Sequence, residues 1–360
     1  MIEIDGSAGE GGGQIVRTAL SLSCLLCRPV RIFNIRKGRR KSGLMPQHLT
    51  CVKAAQEVAR AEVSGALAGS TEITFVPSAT AGGEFFFDIG TAGSTSLVLQ
   101  TLLPALVFDP CTSRVTIRGG THVPFSPSFD YLASVFAPLL ARLGMRFDLT
   151  IESYGFYPKG GGKVTARVRP TPTLKTLLST DRGRIVGIRG YSGVANLPLS
   201  IAERQREAAV AVLRTLADGH KCLFEIETGE VPSPGQGTFV FLLCDSELAL
   251  AGSTALGERG KRAETVGAEA AGQLLTYLRS ESALDQHLPD QIVLYLALCE
   301  GQSKFTTCRI TQHLLTNLQV IHLFHPFEYT VKGDVGGPGM VSIWGVPLKR
   351  ERSEKKHSSQ

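Results

Sequence analysis

A chain of 360 residues, 43% hydrophobic and 19% charged, is long enough for two domains and has an ordinary globular composition, which excludes a disordered or collagen-like chain. No apolar run reaches the roughly 18 residues of a membrane span, and Met1-Ile2-Glu3-Ile4-Asp5 lacks the basic region and apolar core of a signal peptide, so a reducing compartment is expected. The net charge of +6 is too small to mark a nucleic-acid binder, but seven basic residues and no acidic one lie between Arg28 and Lys41, as a phosphate-binding surface requires.

In chain order, a strand over 2–4 runs into the glycine-rich turn Asp5-Gly6-Ser7-Ala8-Gly9-Glu10-Gly11-Gly12-Gly13-Gln14. An apolar helix over 15–26 and an alternating strand over 30–35 follow, then a basic loop, a helix over 47–61 and strands over 62–63 and 71–76. The same order returns. A strand over 85–89 and the small-residue turn Gly90-Thr91-Ala92-Gly93-Ser94 lead into a helix over 95–108, a strand over 113–118, a helix over 129–143 and strands over 146–151 and 163–168. A third copy closes the chain, with a helix over 290–298, a strand over 304–310, a helix over 313–324 and strands over 327–331 and 340–344.

Between the second and third copies, residues 183–281 have their own β-α-β-β-α order. Helices over 202–216 and 265–278 flank strands over 222–227 and 238–243. The pattern predicts an α+β protein: three βαβαββ repeats forming a large domain, with a small inserted α/β domain. The expected partition is 1–182 for repeats 1 and 2, 183–281 for the insertion, 282–347 for repeat 3, and 348–360 for a disordered basic tail.

The eight cysteines are scattered through apolar segments and read as small buried hydrophobes; Cys24-x-x-Cys27 has no second pair at zinc-ribbon spacing. The Gly9–Gln14 turn is no Walker sequence, because no Gly-Lys-Ser/Thr closes it, and it does not match a dinucleotide fingerprint. It remains either a structural turn or a place where backbone approaches a ligand closely, with Glu10 available to a metal and the following helix start favouring an anion. In Arg36-Lys37-Gly38-Arg39-Arg40-Lys41-Ser42-Gly43, guanidinium forks suit a terminal phosphate, the alternative being a solvated basic loop. Gly155-Phe156-Tyr157-Pro158-Lys159-Gly160-Gly161-Gly162 is a hairpin turn or a phosphate contact. Late in the chain, Thr311-Gln312-His313-Leu314-Leu315-Thr316-Asn317 opens a helix with a lone imidazole, which is either a capping and packing residue or a nucleophile.

Taken together, these motifs, with Ile35-Arg36-Lys37-Gly38-Arg39, Gln47-His48-Leu49, Gly119-Gly120-Thr121 and Leu288-Pro289-Asp290-Gln291, resemble RNA 3'-terminal phosphate cyclases of the histidine-containing, catalytic type. The resemblance spans nearly the whole chain apart from the basic tail. It implies the repeat fold with an inserted domain, and ATP-dependent conversion of an RNA 3'-phosphate to a 2',3'-cyclic phosphate through adenylyl-histidine and RNA-adenylate intermediates. It assigns the nucleophile to His313, the ATP pocket to Gln100, Pro127, His287, Asp290 and Gln291, and a divalent metal, Mg or Mn, to Glu10. The RNA terminus falls to Arg17, Arg36, Arg39, Gln47 and His48. On that division, Arg39→Ala is expected to spare adenylylation of the protein and weaken transfer to RNA.

Two positions depart from the family pattern: His287 stands where a tyrosine usually meets the adenine, and Ser42 where a proline usually follows the basic turn. The resemblance also implies a nuclear location and is compatible with a homodimer. Its non-enzymatic alternative is a cyclase-like ribosome-biogenesis factor that binds RNA or protein; such proteins lack the histidine. Enolpyruvyl transferases share the repeated unit but carry more copies over a longer chain.

Overall fold

The computed structural model describes residues 1–215 and 223–348; the tail expected over 348–360 lies outside them except for Leu348, as does Cys222, where an expected strand was to begin. The chain opens as β1 (Ile2–Asp5), α1 (Gly13–Leu26), β2 (Val30–Phe33), α2 (Pro46–Ala59), β3 (Glu62–Ser64) and β4 (Ile73–Val76). These strands form one sheet in the order β1-β2-β4-β3, with β1 parallel to β2 and the other two pairings antiparallel. β2 alternates buried and half-buried residues, as a strand with one face on a core must.

The second sheet is built the same way from β5 (Glu84–Asp88), α3 (Thr95–Phe108), β6 (Ser113–Gly119), α4 (Phe129–Tyr131), a π-helical turn (Leu132–Phe136), α5 (Ala137–Arg142), β7 (Arg146–Ser153) and β8 (Gly162–Arg169). Its order is β5-β6-β8-β7, again with one parallel and two antiparallel pairings. α3 is apolar around nearly its whole circumference and is buried accordingly, packed on α1 and α2. The single expected helix over 129–143 is interrupted by the π turn.

β9 (Leu178–Ser179) follows, then β10 (Ile185–Ala195), α6 (Leu199–Arg214), β11 (Leu223–Glu230), β12 (Gly237–Ser246), β13 (Leu250–Leu256) and α7 (Ala263–Leu278). β10 to β13 make a sheet in the order β11-β10-β12-β13, which shares with α6 and α7 a core around Leu213, Val240, Leu242, Val266 and Leu274. β13 is a strand that periodicity did not predict. Its sequence, Leu-Ala-Gly-Ser-Thr-Ala-Leu, is made mostly of small residues with weak strand preference, and pairing with β12 imposes the conformation.

The chain closes with α8 (Leu288–Ala297), β14 (Gly301–Thr307), α9 (Gln312–Phe324), β15 (Glu328–Lys332) and β16 (Gly339–Gly345). Their sheet has the order β15-β16-β14-β9, so its parallel strand comes from residues 178–179, ahead of the β10–β13 segment. The whole is a mixed α/β structure of several small sheets, consistent with an α+β protein. α1 lies against α2, α3 and α9, and α9 lies against α8. That helix cluster positions the site.

Candidate active site

The glycine-rich turn is shaped by its own side chains and by what it must approach. Asp5 accepts hydrogen bonds from the backbone N–H of Ser7 at 2.9 Å and its hydroxyl at 2.7 Å, and Gly9 and Gly11 take left-handed backbone angles of 56° and 59°. A Cβ on Gly9 would collide with the Thr316 hydroxyl, which instead accepts from the backbone N–H of Glu10 at 3.3 Å. The turn is therefore pressed against α9, and Glu10 is delivered beside that helix's first residues.

His313 is the second residue of α9. Thr311 caps the helix, its side-chain oxygen accepting from the N–H of Leu314 at 3.1 Å. The imidazole is half exposed, its side chain 49% accessible. Its Nδ1 lies 2.7 Å from Glu10 Oε2 and also meets the side-chain oxygen of Gln14 on α1. The other Glu10 oxygen is ion-paired with Arg39, which also donates to the Glu10 carbonyl at 3.1 Å. The contact with Glu10 raises the His313 pKa above its ordinary value; burial opposes the shift, and the Asp290 charge adds to it. Burial pushes the Glu10 carboxyl up, but His313 and Arg39 outweigh it and hold the group below the usual carboxylate range.

Behind the imidazole, Gln14 donates to Asp290 Oδ2 at 3.0 Å, Thr18 donates to Asn317 at 2.7 Å, and Asn317 donates to the Asp290 carbonyl at 2.7 Å. These bonds join α1, α8 and α9 across long separations in sequence. Burial raises the Asp290 pKa, against the pull of His313 and His287.

On the α2 side, His48 is buried and its Nδ1 accepts from the backbone N–H of Met45 at 3.1 Å, which leaves Nε2 as the protonated nitrogen. That nitrogen faces the turn: a Cβ on Gly13 would collide with it and come within 3.0 Å of Arg17 Nη1. Burial, then the charges of Arg17 and Arg36, push His48 down to about 3. It stays neutral at cellular pH and offers an N–H donor rather than a cation. Arg36 takes a left-handed backbone angle of 56° and donates to the Gly43 carbonyl at 3.2 Å. Gln47 accepts from the Ser94 N–H at 3.4 Å, tying the start of α2 to the start of α3.

The residues expected to line an ATP pocket divide into two groups. Gln100 on α3 donates to Gln291 at 2.7 Å, Gln291 donates to the His287 carbonyl at 2.7 Å, and Asp290 joins the His313 network. Pro127 stands apart, in the loop before α4. The exposed His287 ring meets Tyr131 edge-on, with centroids 6.4 Å apart.

Sequence reasoning missed Asp285. Its buried carboxylate accepts from the Tyr131 hydroxyl, from the N–H of Gly252 at 3.1 Å, and from the N–H groups of His287 at 2.8 Å and Leu288 at 3.1 Å, so it anchors the start of α8. An aspartate shortly before Leu-Pro at a helix start was the available signal. Gln14 closes the glycine-rich motif and carries no further signal in the sequence. His122, buried between Asp130 at 2.6 Å and the Thr121 hydroxyl at 2.9 Å, gave no signal beyond the glycines before it.

Among the described residues no group of three or more His, Cys, Asp or Glu side chains could hold a metal unaided. Glu10 Oε2, 2.7 Å from His313 Nδ1, is nevertheless a buried carboxylate oxygen that no hydrogen bond of full geometry from the described residues reaches. One such oxygen fits Mg²⁺ or a similar hard cation, which takes one or two carboxylates and completes its shell with substrate phosphates and water.

A family model described as RNA 3'-terminal phosphate cyclase matches residues 8–331. A curated RNA 3'-terminal phosphate cyclase of Ignicoccus hospitalis is 45% identical over 353 residues, covering 97% of this chain and 100% of that one. Those of Pyrobaculum aerophilum and Sulfolobus acidocaldarius are 43% and 45% identical, over 97% and 92% of this chain and 99% and 97% of theirs. Among solved structures, the enolpyruvyl transferase NikO of Streptomyces tendae is 12% identical with a TM-score of 0.34, covering 96% of this chain and 48% of its own, too distant to bear on function. With the family model and the relatives both spanning almost its entire length, the chain belongs to the RNA 3'-terminal phosphate cyclase family.

Proposed function

We propose that this chain converts an RNA 3'-terminal phosphate into a 2',3'-cyclic phosphate, using ATP and a covalent adenylate on His313. The observation that carries the reading is the imidazole at the start of α9, its Nδ1 engaged by Glu10 and Gln14, beside an arginine and a glycine turn. With Nδ1 engaged, the attacking atom is Nε2. It bonds to the α-phosphorus of ATP as the bond to pyrophosphate breaks. An oxygen of the RNA 3'-phosphate then displaces the histidine from that phosphorus. The vicinal 2'-hydroxyl finally attacks the 3'-phosphorus, losing its proton and expelling AMP.

In this reading Gln100, Pro127, Asp290, Gln291 and the ring of His287 receive the nucleotide. Arg17, Arg36 and Arg39 neutralise the RNA terminus, while Gln47 and neutral His48 supply hydrogen bonds to it. Glu10 would hold a divalent cation, Mg or Mn, whose chemistry is to neutralise charge on the phosphates. The three like-ordered sheets are read as three βαβαββ units of one large domain, and the β10–β13 sheet with α6 and α7 as a small domain inserted after β9. A nuclear location rests on the resemblance alone, since the relatives named above are archaeal.

A scaffold role in ribosome biogenesis, the non-enzymatic alternative, needs neither the histidine nor its partners. The test is to incubate the chain with ATP, magnesium or manganese, and an RNA bearing a labelled 3'-phosphate. Conversion to a form resistant to phosphatase and absent with His313→Ala is expected; a terminus that stays phosphatase-sensitive contradicts the proposal.

A further inference from the structure

The reaction set out above uses Gln14 only as one of two groups on Nδ1 of His313, yet Gln14 touches Asp290 as well. It is almost fully buried on the first turn of α1, in a site where every hydrogen bond must be made with the right polarity. Its side-chain nitrogen donates to Asp290 Oδ2 at 3.0 Å. A carboxylate is acceptor-only, so it fixes the amide: the NH₂ faces Asp290 and the oxygen faces His313. Asp290 is held in turn, because Asn317 donates to its backbone carbonyl at 2.7 Å while accepting from Thr18 at 2.7 Å. The oxygen of Gln14 therefore meets His313 Nδ1 with its acceptor side already chosen.

We propose that Gln14 is a positioning residue: oriented by Asp290, its oxygen fixes the proton on Nδ1 of His313 and so leaves the lone pair on Nε2. Glu10 alone cannot do this throughout a reaction. Its carboxylate is shared with Arg39 and, in the proposed function, with a cation, so its contact with the imidazole is open to exchange. Among the described residues the oxygen of Gln14 has no such competing partner. The inference rests on the proposed function for the use of the Nε2 lone pair, but not for the tautomer itself.

Nitrogen-15 spectra of the histidine side chains separate the two. In the nucleotide-free full chain, with the His313 signals assigned by their loss in His313→Ala, the neutral ring is expected as the Nδ1–H tautomer. Gln14→Met, which keeps the side-chain length and removes the acceptor, should bring in the Nε2–H tautomer. Asp290→Asn, which removes the constraint on the amide, should shift the population the same way. In single-turnover labelling with ATP, Gln14→Met should lower the maximal rate of protein adenylylation at least tenfold with an ATP half-saturation within twofold of wild type. Gln14→Glu, which restores an acceptor, should recover part of the rate.

An Nε2–H tautomer in the wild type overturns the inference without recourse to any variant, as does an unchanged Nδ1–H tautomer with a wild-type rate in Gln14→Met. If no adenylate forms on wild-type protein while the Nδ1–H tautomer is present, the proposed function fails and the tautomer assignment stands.

Discussion

At Glu10 one carboxylate serves several neighbours, and this sets the expected pH dependence of the first step. Contact with Glu10 raises the His313 pKa above the ordinary 6.5, so the ring keeps its proton to higher pH, and on the proposed mechanism it attacks only once that proton is lost. The rate of self-adenylylation should rise with pH along a limb centred above 6.5. Glu10→Gln should move that limb to lower pH and reduce its plateau. Rates of labelling at saturating ATP between about pH 5 and 9 make the comparison, and a limb in the same place for both proteins contradicts it. The link from Arg39 to Glu10 changes another expectation. Sequence reasoning gave Arg39 to RNA alone, but its ion pair with Glu10 couples it to His313. Arg39→Ala should therefore slow both steps, transfer to RNA more than adenylylation, as read by single-turnover rates for each.

His48 carries the opposite shift. Its folded-state value of about 3 lies below that of the unfolded chain, so between those values the unfolded chain binds the extra proton and stability falls as pH falls. Stability from this residue is complete above about pH 6.5 and declines toward 3. Urea unfolding at stepped pH should show a shallower acid loss for His48→Gln than for wild type; parallel curves contradict the assignment of a buried neutral ring.

Among the elements, α9 matters most, because its first turn holds the imidazole. Removing the cap with Thr311→Ala should cost about 1 kcal/mol of stability and lower adenylylation, while Thr311→Ser should restore both. Thermal melts and labelling rates report the two effects. The helix itself was legible in the sequence: Leu314, Leu318, Ile321 and Phe324 recur at helical spacing and are buried. Periodicity alone starts it one residue late, at 313, because the Thr311 cap carries no apolar signal. α8 was also placed late, at 290 rather than Leu288, because the signal lies in Asp285 and Pro289 rather than in periodicity. β13 and the π turn were not legible. A strand of small residues takes its conformation from β12, and a π turn leaves no trace in an apolar helical pattern.

For the whole molecule, residue types in the site could be read from the sequence and their partners could not. Glu10, Arg39, His48, Asp290 and His313 stand out as single letters in motifs. The bond from Gln14 to His313, 299 residues away in sequence, exists only because α1, α8 and α9 pack together. Pro127 shows the converse: a motif position alone assigns it to a nucleotide pocket, and it lies in the loop ahead of α4, on a different segment from Gln100, His287, Asp290 and Gln291. The strand β9 shows the same limit for the fold, since its two residues precede the β10–β13 segment in the chain and pair with β14, which follows it. The concentration of arginines in one region also has a consequence in solution. Binding of a 3'-phosphorylated RNA should weaken with salt at a logarithmic slope of roughly 0.7 per neutralised phosphate, and titrations over a series of salt concentrations would show it; affinity independent of salt contradicts an arginine-held terminus.

The central claim is a covalent bond between AMP and one imidazole. Incubation with ATP and magnesium or manganese, followed by peptide mass analysis under conditions that preserve a phosphoramidate, tests it most directly. The account predicts an added adenylyl mass on the peptide containing His313 and on none in His313→Ala. An unmodified His313 peptide, where a catalytically active relative treated identically carries the adduct, would contradict it.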